Sequence, residues 1–143
     1  MISKKQKSLK ESMLVVLLLL IPSMLYAACT GSSPTWTTTP DYASVAACVA
    51  GAAAEDTINV TAGSGKVTWA SQLVITKGIN LIGPGKDNLT IKSSGTPSSI
   101  IQYSPSTANF PANYSFRLSG FTFDSNGKIS LILGKNATGT SSA

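Results

Sequence analysis

The sequence predicts an all-β chain of short stacked strands, preceded by one short helix. Three observations carry that prediction. From Thr57 onward, short runs rich in Ile, Val, Leu and Thr alternate with clusters of Gly, Pro, Ser, Asn and Lys, and no helical period of useful length interrupts them. Thr57-Ile-Asn-Val-Thr61 aligns with Gly78-Ile-Asn-Leu-Ile82 at an offset of 21, and Leu73-Val-Ile-Thr76 resembles Leu89-Thr-Ile-Lys92 at an offset of 16. Charged residues are 12% of the chain, with Ser, Thr, Gly, Asn and Ala in their place. An offset near 21 suits one coil of a solenoid. Three short strands and three corners would build each coil, and strands of successive coils would stack about 4.8 Å apart into parallel sheets. An antiparallel sandwich would need several two-residue hairpin turns, and Ser125-Asn126-Gly127 is the one convincing Asn-Gly turn.

The first element is an address. Lys4, Lys5, Lys7 and Lys10 precede the unbroken apolar run Met13–Ile21, then Pro22 and the small-residue exit at Ala27-Ala28. A basic stretch, a short apolar stretch and a small-residue exit make a secretory signal peptide of bacterial type, residues 1–27. Nine apolar residues are too few to cross a hydrocarbon core of about 30 Å. No later segment reaches membrane-spanning length, so no transmembrane helix is expected after signal removal. Cleavage would discard four Lys and one Glu and leave seven basic and five acidic residues, a net of +2. The remaining chain has no basic run, so nucleic acid loses its electrostatic footprint as a partner.

Residues 28–56 read as a lead-in and a capping helix. Thr30–Pro40 is rich in Ser, Thr and Pro and is expected to be extended and irregular. Asp41 is placed to cap a helix over Tyr42–Ala54, with Val45 and Val49 on one face and Cys48 beside them. Gly51 weakens its last turn. Export makes a disulfide between Cys29 and Cys48 available. Closing that loop would contribute about 3 kcal/mol on the chain-entropy model. Cleavage after Ala28 would instead leave Cys29 at the new N-terminus, and Tyr-Ala-Ala-Cys is similar to a bacterial lipoprotein box with Tyr26 where Leu is expected. A disulfide and a lipid anchor compete for Cys29, and the disulfide is the favoured expectation.

The strand runs are Thr57–Thr61, Lys66–Trp69, Gln72–Thr76, Ile79–Ile82, Leu89–Lys92, Ser99–Tyr103, Tyr114–Phe123 and Ile129–Leu133. Ser93–Asn113, with Pro97, Pro105 and Pro111, reads as an insertion. Ala47–Asp56, Thr57–Gly63, Val67–Trp69 and Leu73–Asp87 (LVITKGINLIGPGKD) together resemble the opening segment of secreted right-handed parallel β-helix proteins, the pectate-lyase-like superfamily. Leu118-Ser-Gly-Phe-Thr-Phe123 resembles a recurring strand of that family, so the resemblance covers most of Asp41–Asp124. Glu55 and Thr61 depart from it, standing where Gly and Pro are usual.

The resemblance implies a right-handed parallel β-helix over residues 57–143, about four coils long, as the N-terminal part of a longer protein. It also implies polysaccharide as the partner. Lyases of this family use an Arg or Lys base with a calcium-binding acidic cluster, and the hydrolases use clustered Asp. Here Asp41, Glu55, Asp56, Asp87 and Asp124 are scattered. No catalytic, cofactor or metal residue is therefore carried over, and calcium is expected only in a longer full-length protein.

The remaining motifs read as structure. The absence of His excludes Ser-His-Asp and Cys-His catalysis within the chain, and two Cys alone complete no zinc site. Gly63-Ser-Gly-Lys66 lacks the spacing of a phosphate loop and reads as a turn, as Gly83-Pro-Gly-Lys-Asp87 reads as a corner. Arg117 and Asp124 are seven apart, which alternation along one strand would place on opposite faces. Trp36, Trp69, Tyr103 and Tyr114 could stack on sugar rings, with core packing the blander expectation. Asn59, Asn88, Asn113 and Asn136 begin glycosylation triplets, discounted beside a bacterial signal. The expected protein is secreted or at the cell surface and binds or degrades polysaccharide. A lyase or glycoside hydrolase would carry its catalytic residues beyond Ala143; the alternative is a non-catalytic surface or adhesion module, or a lipoprotein.

Overall fold

The computed structural model describes residues 28–95, 97–105 and 115–133. The signal segment 1–27, the residues Asn113 and Tyr114 and the polar stretch from Gly134 lie outside them. The chain opens with β1 (Cys29–Ser32) and β2 (Thr35–Thr38), then α1 (Tyr42–Gly51). Nine strands follow: β3 (Thr57–Val60), β4 (Lys66–Trp69), β5 (Leu73–Ile75), β6 (Asn80–Ile82), β7 (Thr90–Ser93), β8 (Ser99–Tyr103), β9 (Arg117–Ser119), β10 (Thr122–Asp124) and β11 (Ile129–Leu133). They build three sheets, ordered β1-β2-β3-β6-β9, β10-β7-β4 and β11-β8-β5. Every pairing is parallel except β1 with β2.

Strand alternation sets the core. Ile58 lies opposite Leu81, and Leu81 opposite Leu118. Ile91 lies between Val67 and Phe123, and Ile101 between Leu73 and Leu131. These inward rows meet in one hydrophobic cluster that also takes Val45, Cys48, Val49 and Ala52 from α1. Burying each large aliphatic side chain contributes about 1.5–3 kcal/mol. Trp69, 1% exposed, keeps its indole satisfied by donating to the Pro40 carbonyl at 2.9 Å.

α1 begins where the sequence places it. The Asp41 carboxylate accepts from the Ser44 backbone N–H at 2.9 Å, satisfying one of the first-turn donors. The helix stops at Gly51, three residues before Ala54, and Ala52 is extended. Lys77, from the loop before β6, closes the carbonyl end by donating to the Ala50 carbonyl at 3.2 Å and to that of Ala52. A cation there also favours the negative end of the helix dipole.

Asp56 follows the helix and is 2% exposed. Its carboxylate accepts from Ser33 Oγ, Trp36 Nε1 and the Ala53 N–H, each at 2.8 Å. One side chain thereby ties the β1–β2 turn, β2, the helix exit and β3. Burial pushes its carboxyl up. The hydrogen bonds from Trp36, Ser33 and Ala53, with the nearby Lys77 charge, outweigh that and hold it below the ordinary carboxylate value.

Cys29 and Cys48 form a disulfide, with Cα atoms 5.3 Å apart. It fastens β1 to the buried face of α1 and occupies the sulfur that a lipid anchor would need. The Ala28 N–H donates to Ser44 Oγ at 2.9 Å beside it. At the far side of the first sheet, Gly83 and Gly120 lie back to back. A Cβ on either would collide with the other's carbonyl, and Gly120 has φ of +78°. Gly85 N–H donates to the Gly120 carbonyl at 3.1 Å, so this corner is closed by backbone alone.

The structure corrects the predicted all-β right-handed parallel β-helix. Three separate sheets are present, the largest of them mixed, and a ten-residue helix shares their core. No solenoid or closed β-helix is seen among the described residues. The mixed sheet arises because β1 and β2 fold back on each other around Ser33 and Pro34 in a segment expected to be irregular. The fixed period also fails. Thr57 pairs with Asn80, 23 residues on, whereas Asn80 pairs with Arg117, 37 residues on. Leu73 does not stack on Leu89; it pairs with Ile101, 28 residues on. Tyr114–Phe123, read as one strand, is two strands in different sheets, broken at Gly120.

Three measurements follow from this packing. Because the folded-state pKa of Asp56 lies below its unfolded value, its contribution is present above about pH 4 and is lost as pH falls through the folded pKa. Asp56→Asn should remove roughly 1.5–3 kcal/mol at neutral pH and flatten the acid side of a denaturant-stability profile. Gly120→Ala should cost about 2 kcal/mol or more in urea unfolding, from the backbone collision and the positive φ. Alkylation without reductant should add nothing to the intact mass, and reduction should lower stability by about 3 kcal/mol.

Candidate functional site

The outward face of the β4–β7–β10 sheet carries the densest set of free polar side chains among the described residues. Its strands are in register, Lys66 beside Thr90 and Thr90 beside Thr122. Thr68 lies beside Lys92, and Lys92 beside Asp124. Period-two alternation turns Val67, Ile91 and Phe123 inward and these two polar rows outward. The rows are two residues apart, about 7 Å, and the strands about 4.8 Å apart. A shallow groove of about 370 Å³ runs over Lys66, Val67, Thr68, Thr90, Lys92 and Asp124.

The electrostatics are uneven. Lys92 Nζ and Asp124 Oδ2 are 3.6 Å apart, both about half exposed. Such a surface pair adds little stability, on the order of 0–1 kcal/mol. Lys66 has no carboxylate partner among the described residues, so the groove has one unpaired cation and one near-neutral pair. Thr122 Oγ1 donates to the Lys86 carbonyl at 2.6 Å, which leaves the hydroxyl oxygen able to accept. The face therefore presents hydroxyls, two ammonium groups and one carboxylate on a rigid backbone. It can bind a hydroxyl-rich or acidic ligand, and it holds no pair of carboxylates for acid-base hydrolysis. Among the described residues no group of three or more His, Cys, Asp and Glu could hold a metal ion.

The other residues singled out in the sequence lie elsewhere. Arg117 is in β9 and Asp124 in β10, on different sheets, so they do not share a site. Glu55 is exposed at the turn after α1, while its neighbour Asp56 is spent in the structural cluster. Trp69 is core, and Trp36 donates its indole N–H to Asp56. Tyr103 is buried and stacks on Phe116 with ring centroids 4.8 Å apart. Gly63–Lys66 is a turn leading into β4, and Gly83–Asp87 a corner whose Lys86 pairs with Asp87 at 2.8 Å.

Sequence reasoning missed the gathering of Lys66, Lys92 and Asp124. They are 26 and 32 residues apart and meet only through parallel pairing. The usable signal was the matched alternation in Lys-Val-Thr-Trp69, Thr-Ile-Lys-Ser93 and Thr-Phe-Asp124, each with a polar residue on either side of an apolar one.

A second groove, about 410 Å³, lies between α1 and β5 and is lined by Tyr42, Val49, Leu73 and Val74 among others. Its polar groups are engaged internally. Tyr42 donates to the Gln72 carbonyl at 3.2 Å, and Lys77 caps α1. No helix among the described residues is long and apolar enough to cross a membrane. No protein-family model, no curated protein and no solved structure matches the chain.

Proposed function

We propose that this chain is the product of an export signal and serves as a non-catalytic polysaccharide-binding module, using the outward face of β4, β7 and β10. The observation that carries the reading is the pair of polar rows, Lys66-Thr90-Thr122 and Thr68-Lys92-Asp124, exposed over a shallow groove on a parallel sheet. Sugar hydroxyls need many modest donors and acceptors at fixed spacing. A sheet supplies that spacing at low entropic cost, because the backbone is already ordered. Degradation would need a second carboxylate or a metal cluster at the same face, so binding is the reading these side chains favour over a lyase or hydrolase. Export is supported by the basic-apolar-small order of residues 1–27 and by the Cys29–Cys48 disulfide, which an oxidising compartment permits.

Binding to a panel of neutral and acidic polysaccharides, by affinity electrophoresis or calorimetry, tests the reading. At least one glycan should bind. Replacing Lys66 and Lys92 together by Gln should weaken that binding about tenfold, equivalent to about 1.4 kcal/mol. Unchanged binding by the double variant would assign the ligand to another surface, and retention by no member of the panel would refute the function. N-terminal sequencing of the exported product should begin at Ala28.

A further inference from the structure

We infer that Asn126, in the turn between β10 and β11, is a site of spontaneous conversion to aspartate and isoaspartate. Asn126 and Gly127 have φ of +51° and +76°, the left-handed pair that a two-residue hairpin-type turn requires. The turn is closed by the Lys128 N–H donating to the Ser125 carbonyl at 3.0 Å, which leaves the Gly127 nitrogen outside the closing bond. Both residues are exposed. The space where a Gly127 Cβ would stand has no atom within 4 Å. The nucleophile and its target carbon are therefore neighbours in the chain, open to water and unshielded.

The chemistry needs only water and hydroxide. Hydroxide removes the Gly127 amide proton, and the nitrogen attacks Asn126 Cγ. The new N–Cγ bond closes a five-membered succinimide as the Cγ–Nδ2 bond breaks, and the leaving nitrogen takes a proton to depart as ammonia. Water then opens the ring at either carbonyl, giving aspartate or isoaspartate, with no change in oxidation state. The other described asparagines are less favoured. Asn59, Asn80 and Asn88 precede Val60, Leu81 and Leu89, whose side chains crowd the attacking nitrogen. Asn88 also has its amide engaged with the Pro84 carbonyl at 3.0 Å, and Asn80 with Glu55 and Thr57.

The location gives the conversion a consequence. The Asn126 N–H donates to Asp124 Oδ1 at 3.2 Å, and Asp124 is the partner of Lys92 on the polar sheet face. A new carboxylate there adds negative charge beside that pair, and isoaspartate inserts an extra backbone carbon into a two-residue turn.

The test is timed incubation of the full chain at mildly alkaline pH in ¹⁸O-labelled water, then peptide mapping. Label should enter residue 126 about tenfold faster than residues 59 or 88, with isoaspartate exceeding aspartate. Gly127→Ala should slow it about tenfold, an added barrier of about 1.4 kcal/mol. Asn126→Gln, which would need a six-membered ring and leaves Gly127 in place, should slow it at least as much. Equal labelling at Asn126 and Asn88, or a rate unaffected by both variants, would overturn the inference.

Discussion

The buried Asp56 carboxylate is the constraint on which the arrangement of the other elements depends. Four structural units converge on it: the β1–β2 turn through Ser33, β2 through Trp36, the helix exit through Ala53, and β3 through its own backbone. A charge 2% exposed is tolerable only when hydrogen-bonded on several sides. The three donors must be present together, so the hairpin, helix and first parallel sheet are fixed as one unit. The disulfide reinforces the same junction by joining β1 to α1, and Lys77 reinforces it by closing the helix end over the strands.

With that junction fixed, the parallel strands present their faces in register. Inward positions carry Ile, Leu, Val and Phe, and outward positions on β4, β7 and β10 carry Lys, Thr and Asp. The site's polar side chains owe their spacing to hydrogen-bonded backbone and not to one another. This is the economical way to hold short, weakly interacting groups in place. Long loops would lose that order with each added residue.

Much of the local structure was legible in the sequence, and the reasons are particular. Asp41 followed by an Ala-rich apolar face marked the helix start, since capping and periodicity are short-range signals. Lys66–Trp69, Ser99–Tyr103 and Ile129–Leu133 were bounded correctly because turn residues flank β-branched or aliphatic runs. Long-range pairing was not legible. The connections between stacked strands vary in length, so the repeat read at 21 lands two residues away from the true partner of Thr57. That shift is even, which kept Ile58 and Leu81 on the core face despite the wrong register. The hairpin of β1 and β2 was hidden because Ser, Thr and Pro in Thr30–Pro40 carry little apolar alternation, and its strands are held by the disulfide and Asp56 instead.

The core is graded along the stack. Ile58, Trp69, Leu73 and Ile75 are sealed, as are Leu81, Ile91 and Ile101 above them. Phe116, Leu118, Phe121, Phe123 and Leu131, in the layer of β9, β10 and β11, are only partly buried. Local opening follows buried contact, so backbone amides in the β3–β5 layer exchange with solvent only on global unfolding, while those of β9 and β10 exchange through smaller, more frequent fluctuations. The molecule thus has a stiff half anchored at α1 and a softer half at β10. The sheet face bearing Lys66 and Asp124 spans both, so a ligand lying across it would draw the softer strands into the rigid ones and raise their protection from exchange.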